Sequence, residues 1–462
     1  MMDAATAARV VGGRLCGANA GFARVTTDTR SLQAGDLFVA LRGERFDGHD
    51  FVAGAFERGA VAALVADERA SGLAGSLIAV PDPLAALGRL AAHWRAQFDI
   101  PVIVVVGSNG KTTVKEMIAA ILRAHFGDEA VLATRGNLNN AIGLPLTLLG
   151  LSSAHRVAAI ELGMNHPGET AELAAIAAPT VAVVNNAQRE HQEFMRSVAD
   201  VAAEHAAVLR ALPSSGVAVI NGDDANVALW RETARAAGCR TVDFAVDHDA
   251  AVTASCSLQA GATLLDLQTP AGTASFRLAA PGRHNVANAL AATAAALSVG
   301  VPLSGIARGL ESFRPVAGRL VVTAVADGAT VIDDTYNANP DSVRAAIDVL
   351  APLPGTRWLV LGDMGEVGNE GPAFHREVGA YARDRGIDRL FAAGTAAAAS
   401  AAAFGANSKS FGTVEELVAH LGAITPRDVT VLVKGSRFMR MERVVAALLG
   451  KAPGAVAAGG LH

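Results

Sequence analysis

Short unbroken apolar runs recur along this chain, each followed by a glycine or polar turn and then by apolar residues at helical spacing. Residues 102–122, VIVVVGSNGKTTVKEMIAAIL, show the unit in full. The run 102–106 predicts a strand, and Val114, Ile118, Ile121 and Leu122 fall on one face of the helix that follows. From about 100 to 230 the runs PVIVVV, RVAAIEL, PTVAVVN and GVAVING alternate with such helices. Strands that are apolar throughout, with helices between them, predict a parallel sheet covered on both faces. Before this region, DLFVAL, FVAGAFERGA and VAALVAD over 36–67 predict strand, helix and strand, and PDPLAALGRL with its two prolines suits a domain junction. Residues 250–280 change character: TLLDLQ and TASFRL flank TPAG and predict a hairpin. After RPVAGR (314–319) the rhythm resumes with ATVID, RWLVLG, RLFAAG and VTVLVKG.

The pattern predicts an α/β protein of three domains. These are a small N-terminal α/β domain over 1–84, a central P-loop ATPase-like parallel sheet with an added hairpin region over 85–316, and a C-terminal Rossmann-like domain over 317–452. The small-residue tail, 453–462, is expected to be disordered. A length of 462 residues agrees with three cores of ordinary size. Although 51% of the residues are apolar, no run is long enough to predict a membrane span, and the N-terminus lacks the pattern of a signal peptide. A net charge of -5 without basic clusters argues against nucleic acid as a partner. Cys16, Cys239 and Cys256 stand at unrelated spacings and form neither a metal pattern nor a disulfide framework. The expectation is a cytoplasmic monomer.

Candidate chemistry gathers where predicted strands end. Gly107, Ser108, Asn109, Gly110, Lys111, Thr112 and Thr113 lie between a buried strand and a helix. Glycines let the backbone turn tightly, so that N–H groups converge at a positive helix end, where a polyphosphate fits. Lys111 would lie along the β- and γ-phosphates and the Thr112 hydroxyl would meet Mg²⁺. Only two residues separate the glycines, against four in the usual loop, and the alternative is an ordinary turn with a solvated lysine. Glu161 ends the next strand, where carboxylates face the ligand crevice of open α/β sheets; it either holds the same cation or is a solvated edge residue. His191 follows PTVAVVNNA in the sequence Gln188-Arg189-Glu190-His191 and is either a metal or substrate contact or a lone histidine. Asn285 and Asn288 share a helix face and either present amides together or serve as cap and surface residue. Asp334 and Asn337, and in a second loop Lys434, Ser436 and Arg437, again sit past strand ends, where turn chemistry is the alternative.

Taken together and in order, these motifs resemble the Mur ligases, the ATP-dependent amino-acid and peptide ligases of peptidoglycan synthesis. The resemblance covers nearly the whole chain. TDTRSLQAGDLFVALRGERFDGHDF (27–51) resembles the family's uridine-nucleotide domain, GSNGKTTVKE its ATP loop and TRGNLNNAIGLPLTLL (134–149) its substrate-facing segment. ELGMNHPGE, NNA…EH, PGRHNVANALAA, DDTYNANPDS, LGDMGEVG and VLVKGSR follow in the family's order. DDTYNANP with LGDMGE and KGSR resembles the member that adds D-alanyl-D-alanine to UDP-N-acetylmuramoyl-tripeptide. The resemblance implies ATP and Mg²⁺ as cofactors and those two molecules as substrates. It also implies Lys111 on the phosphates, Thr112 and Glu161 on Mg²⁺, His191 near a second metal, and Asn285 and Asn288 beside adenine. Arg319 and Asp334 would be the C-terminal contribution to ATP, and Arg30, Ser31, Asn137, Asn139 and Asn140 would contact the UDP-sugar substrate. Two other possibilities are the related ligase that adds the third peptide residue and a P-loop ATPase that is not a ligase.

One departure stands out. Family members commonly carry a carbamylated lysine on the helix after NNA…EH, where the carbamate helps to hold a second Mg²⁺. Here that helix is predicted in SVADVAAEHAAVLRAL (197–212), and no lysine occurs between Lys115 and Lys409. His205 takes the position, either as a ligand to metal or water or as a bystander.

Overall fold

In a computed structural model the chain is described over residues 1–259, 261–325, 328–423 and 428–450. The tail expected to be disordered lies outside the described residues. The central sheet has six parallel strands in the order Arg240–Phe244, Val217–Asn221, Val181–Val184, Val102–Val106, Val157–Glu161, Val131–Ala133. Its four inner strands are buried along their whole length, as continuous apolar runs require. Alternation divides them between two layers. Val102, Val104 and Val106 face one apolar core, while Ile103 and Val105 face another, against helices Lys111–Phe126 and Arg283–Ser298.

The first of these cores continues without a break into the N-terminal sheet. Leu37, Leu64 and Ile78 from that sheet join Leu87 and Leu90 and the central valines in one cluster. The segment PDPLAALGRL is helical from Pro83 onward. Pro83 opens the helix Pro83–Arg95, Asp82 caps it by accepting from the N–H groups of Leu84 and Ala85, and residue 84 is inside the helix. Proline is favourable at that first position because its missing N–H would have no helical partner there. The N-terminal sheet runs Arg14–Cys16, Leu77–Val80, Ala62–Ala66, Asp36–Val39, Arg24–Thr26.

The predicted hairpin has a third strand. Thr253–Gln259 pairs antiparallel with Ala262–Thr269, which pairs with Gly272–Leu278. The C-terminal sheet has six strands in the order Val321–Ala324, Thr330–Asp334, Val429–Lys434, Thr356–Gly362, Arg389–Ala393, Ser408–Phe411, and only the first is antiparallel. Among the described residues no helix is long and apolar enough to cross a membrane.

Candidate active site

The carboxyl ends of the central strands and of the C-terminal strands open on one cavity of about 1230 Å³. Ligands of open α/β sheets bind outside those ends, so the placement is the expected one. Strand Val102–Val106 leads into the phosphate-type loop. Gly107 and Gly110 take φ of 145° and 83°, a region that suits glycine. A Cβ at Gly110 would also collide with the amides of Asn288 and Asn185. Lys111, first residue of its helix, donates to the Gly107 carbonyl and to the Ser108 carbonyl (3.2 Å). Its Nζ also lies 3.2 Å from Glu190 Oε2.

Glu161 ends its strand with its backbone N–H donating to Thr134 Oγ1 (3.0 Å). Its Oε1 accepts from Asn139 Nδ2 (2.7 Å), while Oε2 is buried without a hydrogen-bond partner among the described residues. A buried carboxylate oxygen with no donor is costly unless a cation supplies the charge. Carboxylate and hydroxyl oxygens are the donors that Mg²⁺ prefers, so Glu161 and Thr112 fit it; an imidazole such as His191 suits it less well. Among the described residues no three His, Cys, Asp or Glu side chains are placed to hold a metal by themselves. A cation here would need ligand oxygens from a nucleotide or from water.

The structure brings Lys111, Thr112, Glu161, His191, Asn285, Asn288, Arg319, Asp334, Asn337 and Lys434 to the one cavity, together with Asn137, Asn139 and Asn140. Several of them are engaged with one another. Asn185 Nδ2 donates to Asn288 Oδ1 (3.0 Å) and Asn288 Nδ2 to Asn285 Oδ1 (3.1 Å). Asn285 Nδ2 donates to the Pro281 carbonyl (2.8 Å), which completes a buried amide chain behind the loop. Asn140 Oδ1 accepts from Gly143 N (2.9 Å) at the start of helix Gly143–Leu148. From the C-terminal side, Arg319 lies over the Tyr336 ring and donates to Thr112 Oγ1 (2.8 Å). Lys434 Nζ meets Asp334 Oδ2 at 2.6 Å; burial raises the Asp334 carboxyl above its ordinary value, although Lys434 pulls it down.

Arg30, Ser31 and Ser436 stand apart from this cavity. Arg30 is exposed and paired with Asp28 (2.8 Å), and Ser31 Oγ donates to the Asp28 carbonyl. Ser436 is buried: its Oγ accepts from Gly365 N (2.7 Å) and donates to the Ala338 carbonyl (3.1 Å), bracing two loops.

Two neighbours of His191 were not singled out by the sequence pattern. Arg189 reaches the C-terminal sheet's helices, pairing with Asp341 (2.6 Å) and Glu377 (2.7 Å). His191 itself has φ 47° and its Nδ1 lies 2.9 Å from Glu366 Oε2, whose residue has φ 59°. Non-glycine residues held in the left-handed region are strained, and such strain concentrates at functional sites. Glu190 is the second neighbour. Its Oε1 is 3.0 Å from His205 Nε2, and His205, last residue of helix Val198–His205, is 1% exposed. Burial would raise the Glu190 carboxyl, but Lys111, His205 and His191 together outweigh it and hold it down at about 2. In the sequence Glu190 stands beside His191 in the NNA…EH motif, in a loop leaving a strand end, but nothing there points to Lys111 or His205.

Family models for the Mur ligase middle domain, the glutamate ligase domain of Mur ligases and the Mur ligase family catalytic domain match residues 105–296, 318–437 and 22–95. The chain belongs to the Mur ligase family. It is 42% identical to UDP-N-acetylmuramoyl-tripeptide–D-alanyl-D-alanine ligase of Escherichia coli over 95% of this chain and 96% of that one. Among solved structures, MurF of Acinetobacter baumannii matches with a TM-score of 0.90 at 35% identity, covering 97% of this chain and 99% of that one. MurF of Thermotoga maritima, solved with ADP, matches with a TM-score of 0.79 at 26% identity over 93% and 97% of the two chains. This Mur ligase is an enzyme of the ATP-dependent ligase type.

A Mur ligase whose metal site used a carbamate would respond to CO₂. Here helix Val198–His205 carries no lysine, and His205 has its Nε2 committed to Glu190. Ligation rates in CO₂-stripped and bicarbonate-supplemented buffer, at fixed pH and Mg²⁺, are expected to be equal. A several-fold stimulation by bicarbonate would contradict this.

Proposed function

We propose that this Mur ligase joins the tripeptide carboxylate of UDP-N-acetylmuramoyl-tripeptide to the amine of D-alanyl-D-alanine at the expense of ATP. The observation that carries the proposal is the single cavity into which the phosphate loop, Glu161 and the Asp334–Lys434 pair all open. A carboxylate oxygen attacks the γ-phosphorus, the bond to the bridging oxygen breaks, and ADP leaves with an acyl phosphate remaining. The neutral amine then attacks the acyl carbon, phosphate departs with the C–O bond electrons, and the amine proton is released. Two anions meet in the first step, so positive charge must be present beforehand. Lys111 supplies part of it at the loop. Mg²⁺, held by Thr112 and Glu161 with His191 beside them, would supply the rest.

The second step needs an amine close to a hydrolysable anhydride and little water. Contacts across the two sheets' loops support that arrangement: Arg189 with Asp341 and Glu377, and Asn339 Nδ2 with Asn109 Oδ1 (2.9 Å). Holding reactants together can lower a barrier by ~7–11 kcal/mol. For the long nucleotide substrate, a second cavity of about 480 Å³ borders the N-terminal sheet near His49 and Arg69, and Leu84 and Ile142 line both cavities. The shared residues place the second cavity beside the first, on the side of the N-terminal domain proposed at 1–84.

ADP release should require both UDP-N-acetylmuramoyl-tripeptide and D-alanyl-D-alanine. Running the assay with tripeptides ending in diaminopimelate or in lysine identifies the third residue accepted. Turnover with the dipeptide nucleotide and a free amino acid would instead mark the ligase of the preceding step. ATPase activity independent of both substrates would rule out a ligase reading of the site.

A further inference from the structure

We propose that Glu190, oriented by His205, is a ligand for a divalent cation in this site once nucleotide phosphates are bound. The inference rests on the reading of Lys111 as the phosphate-loop lysine.

Glu190 is 6% exposed, yet its carboxylate lies on the wall of the large cavity. Each oxygen has a distinct environment. Oε1 is 3.0 Å from His205 Nε2, a group fixed at the end of a helix and buried. Oε2 faces Lys111 Nζ at 3.2 Å and His191 Nε2 at 3.9 Å. The charge of the carboxylate is thus balanced mainly by the one lysine whose proposed work lies elsewhere.

When phosphates draw Lys111 toward themselves, Glu190 loses that counter-charge. A buried carboxylate left without one is strongly unfavourable, and it cannot turn to solvent while His205 holds it. A divalent cation held at Oε2 would restore the balance. Mg²⁺ and Mn²⁺ bind in this way, through one or two carboxylates plus substrate phosphates and water. A second observation points to a cation in the same cavity, since Glu161 Oε2 is buried with no partner. His205 acts through Glu190 and is a positioning residue: with Nε2 donating to the carboxylate, its Nδ1 has no hydrogen-bond partner among the described residues.

The test is Mn²⁺ binding, read as free Mn²⁺ by electron paramagnetic resonance, at saturating β,γ-methylene ATP. Glu190→Gln is expected to weaken Mn²⁺ binding at least tenfold or to abolish one equivalent, with metal-free analogue binding retained. Glu190→Asp keeps the charge beside Lys111 and His205 but shortens the reach, and it covers the case in which glutamine is not accommodated. It is expected to bind Mn²⁺ several-fold more weakly. His205→Gln should lower Mn²⁺ affinity by a smaller factor, whereas a merely structural histidine would change the melting temperature alone. Wild-type Mn²⁺ affinity in both Glu190 variants, with the analogue still bound, overturns the assignment. If the analogue fails to bind the wild-type enzyme, the phosphate reading of Lys111 falls first and the assignment falls with it.

Discussion

Lys111→Ala is expected to reduce ligation by roughly 10²-fold or more, the scale for losing one preorganised charge at a developing anion. The side chain donates to two carbonyls of its own loop and pairs with Glu190, so it is already at the loop's mouth before any substrate arrives. The substitution has a second consequence, on stability. Removing Lys111 leaves the buried Glu190 carboxylate with histidines as its remaining partners, and an orphaned buried charge destabilises. The single variant should therefore melt earlier than the parent. Adding Glu190→Gln removes the orphaned charge and should restore melting without restoring ligation. Steady-state ADP release and thermal melting of the two variants separate these effects. Near-normal turnover in folded Lys111→Ala would end the phosphate assignment.

Sequence pattern and structure agree where burial is complete on both faces. The central runs around Val104, Ile160, Val183 and Val219 could be read directly, because they are apolar up to their last position and end at polar or glycine residues. Thr253–Gln259 escaped because most of its side chains are exposed, leaving little alternation to detect. The short edge strands Val131–Ala133 and Ser408–Phe411 carry too few residues for any period to show. Pro83 stands at the first position of helix Pro83–Arg95, where its missing N–H costs nothing, so there it marks the start of an element.

Within the site, residues with a local signature were legible and residues defined by long-range contacts were not. Lys111 and Glu161 stand at strand ends, a position that sequence marks. Glu190 meets Lys111 across 79 positions and His205 across 15, and no spacing rule connects three such residues. Arg189 likewise looks like one more loop cation until Asp341, 152 positions away, is seen against it. Ser436 shows the converse. It sits in a motif that resembles substrate-binding sequence, yet its hydroxyl is committed to Gly365 and Ala338.

Glu161→Gln should lower ligation by about 10²–10³-fold, on the scale measured for single electrostatic groups in active sites, and raise the Mg²⁺ concentration needed for half-maximal rate. Glutamine matches glutamate in shape, and its carbonyl can still accept from Asn139, while the backbone bond to Thr134 is untouched. What disappears is the negative charge at Oε2, the buried oxygen that no donor satisfies among the described residues. That charge is unfavourable for the metal-free protein, so the variant should melt at the same temperature as the parent or higher when Mg²⁺ is withheld. Opposite movements of stability and activity distinguish a cation ligand from a packing residue, for which both would fall. Melting curves with and without Mg²⁺, beside a Mg²⁺ titration of the rate, provide the measurement. An unchanged Mg²⁺ requirement would place the cation elsewhere, and a lower metal-free melting temperature would mean that the carboxylate is held by the fold itself.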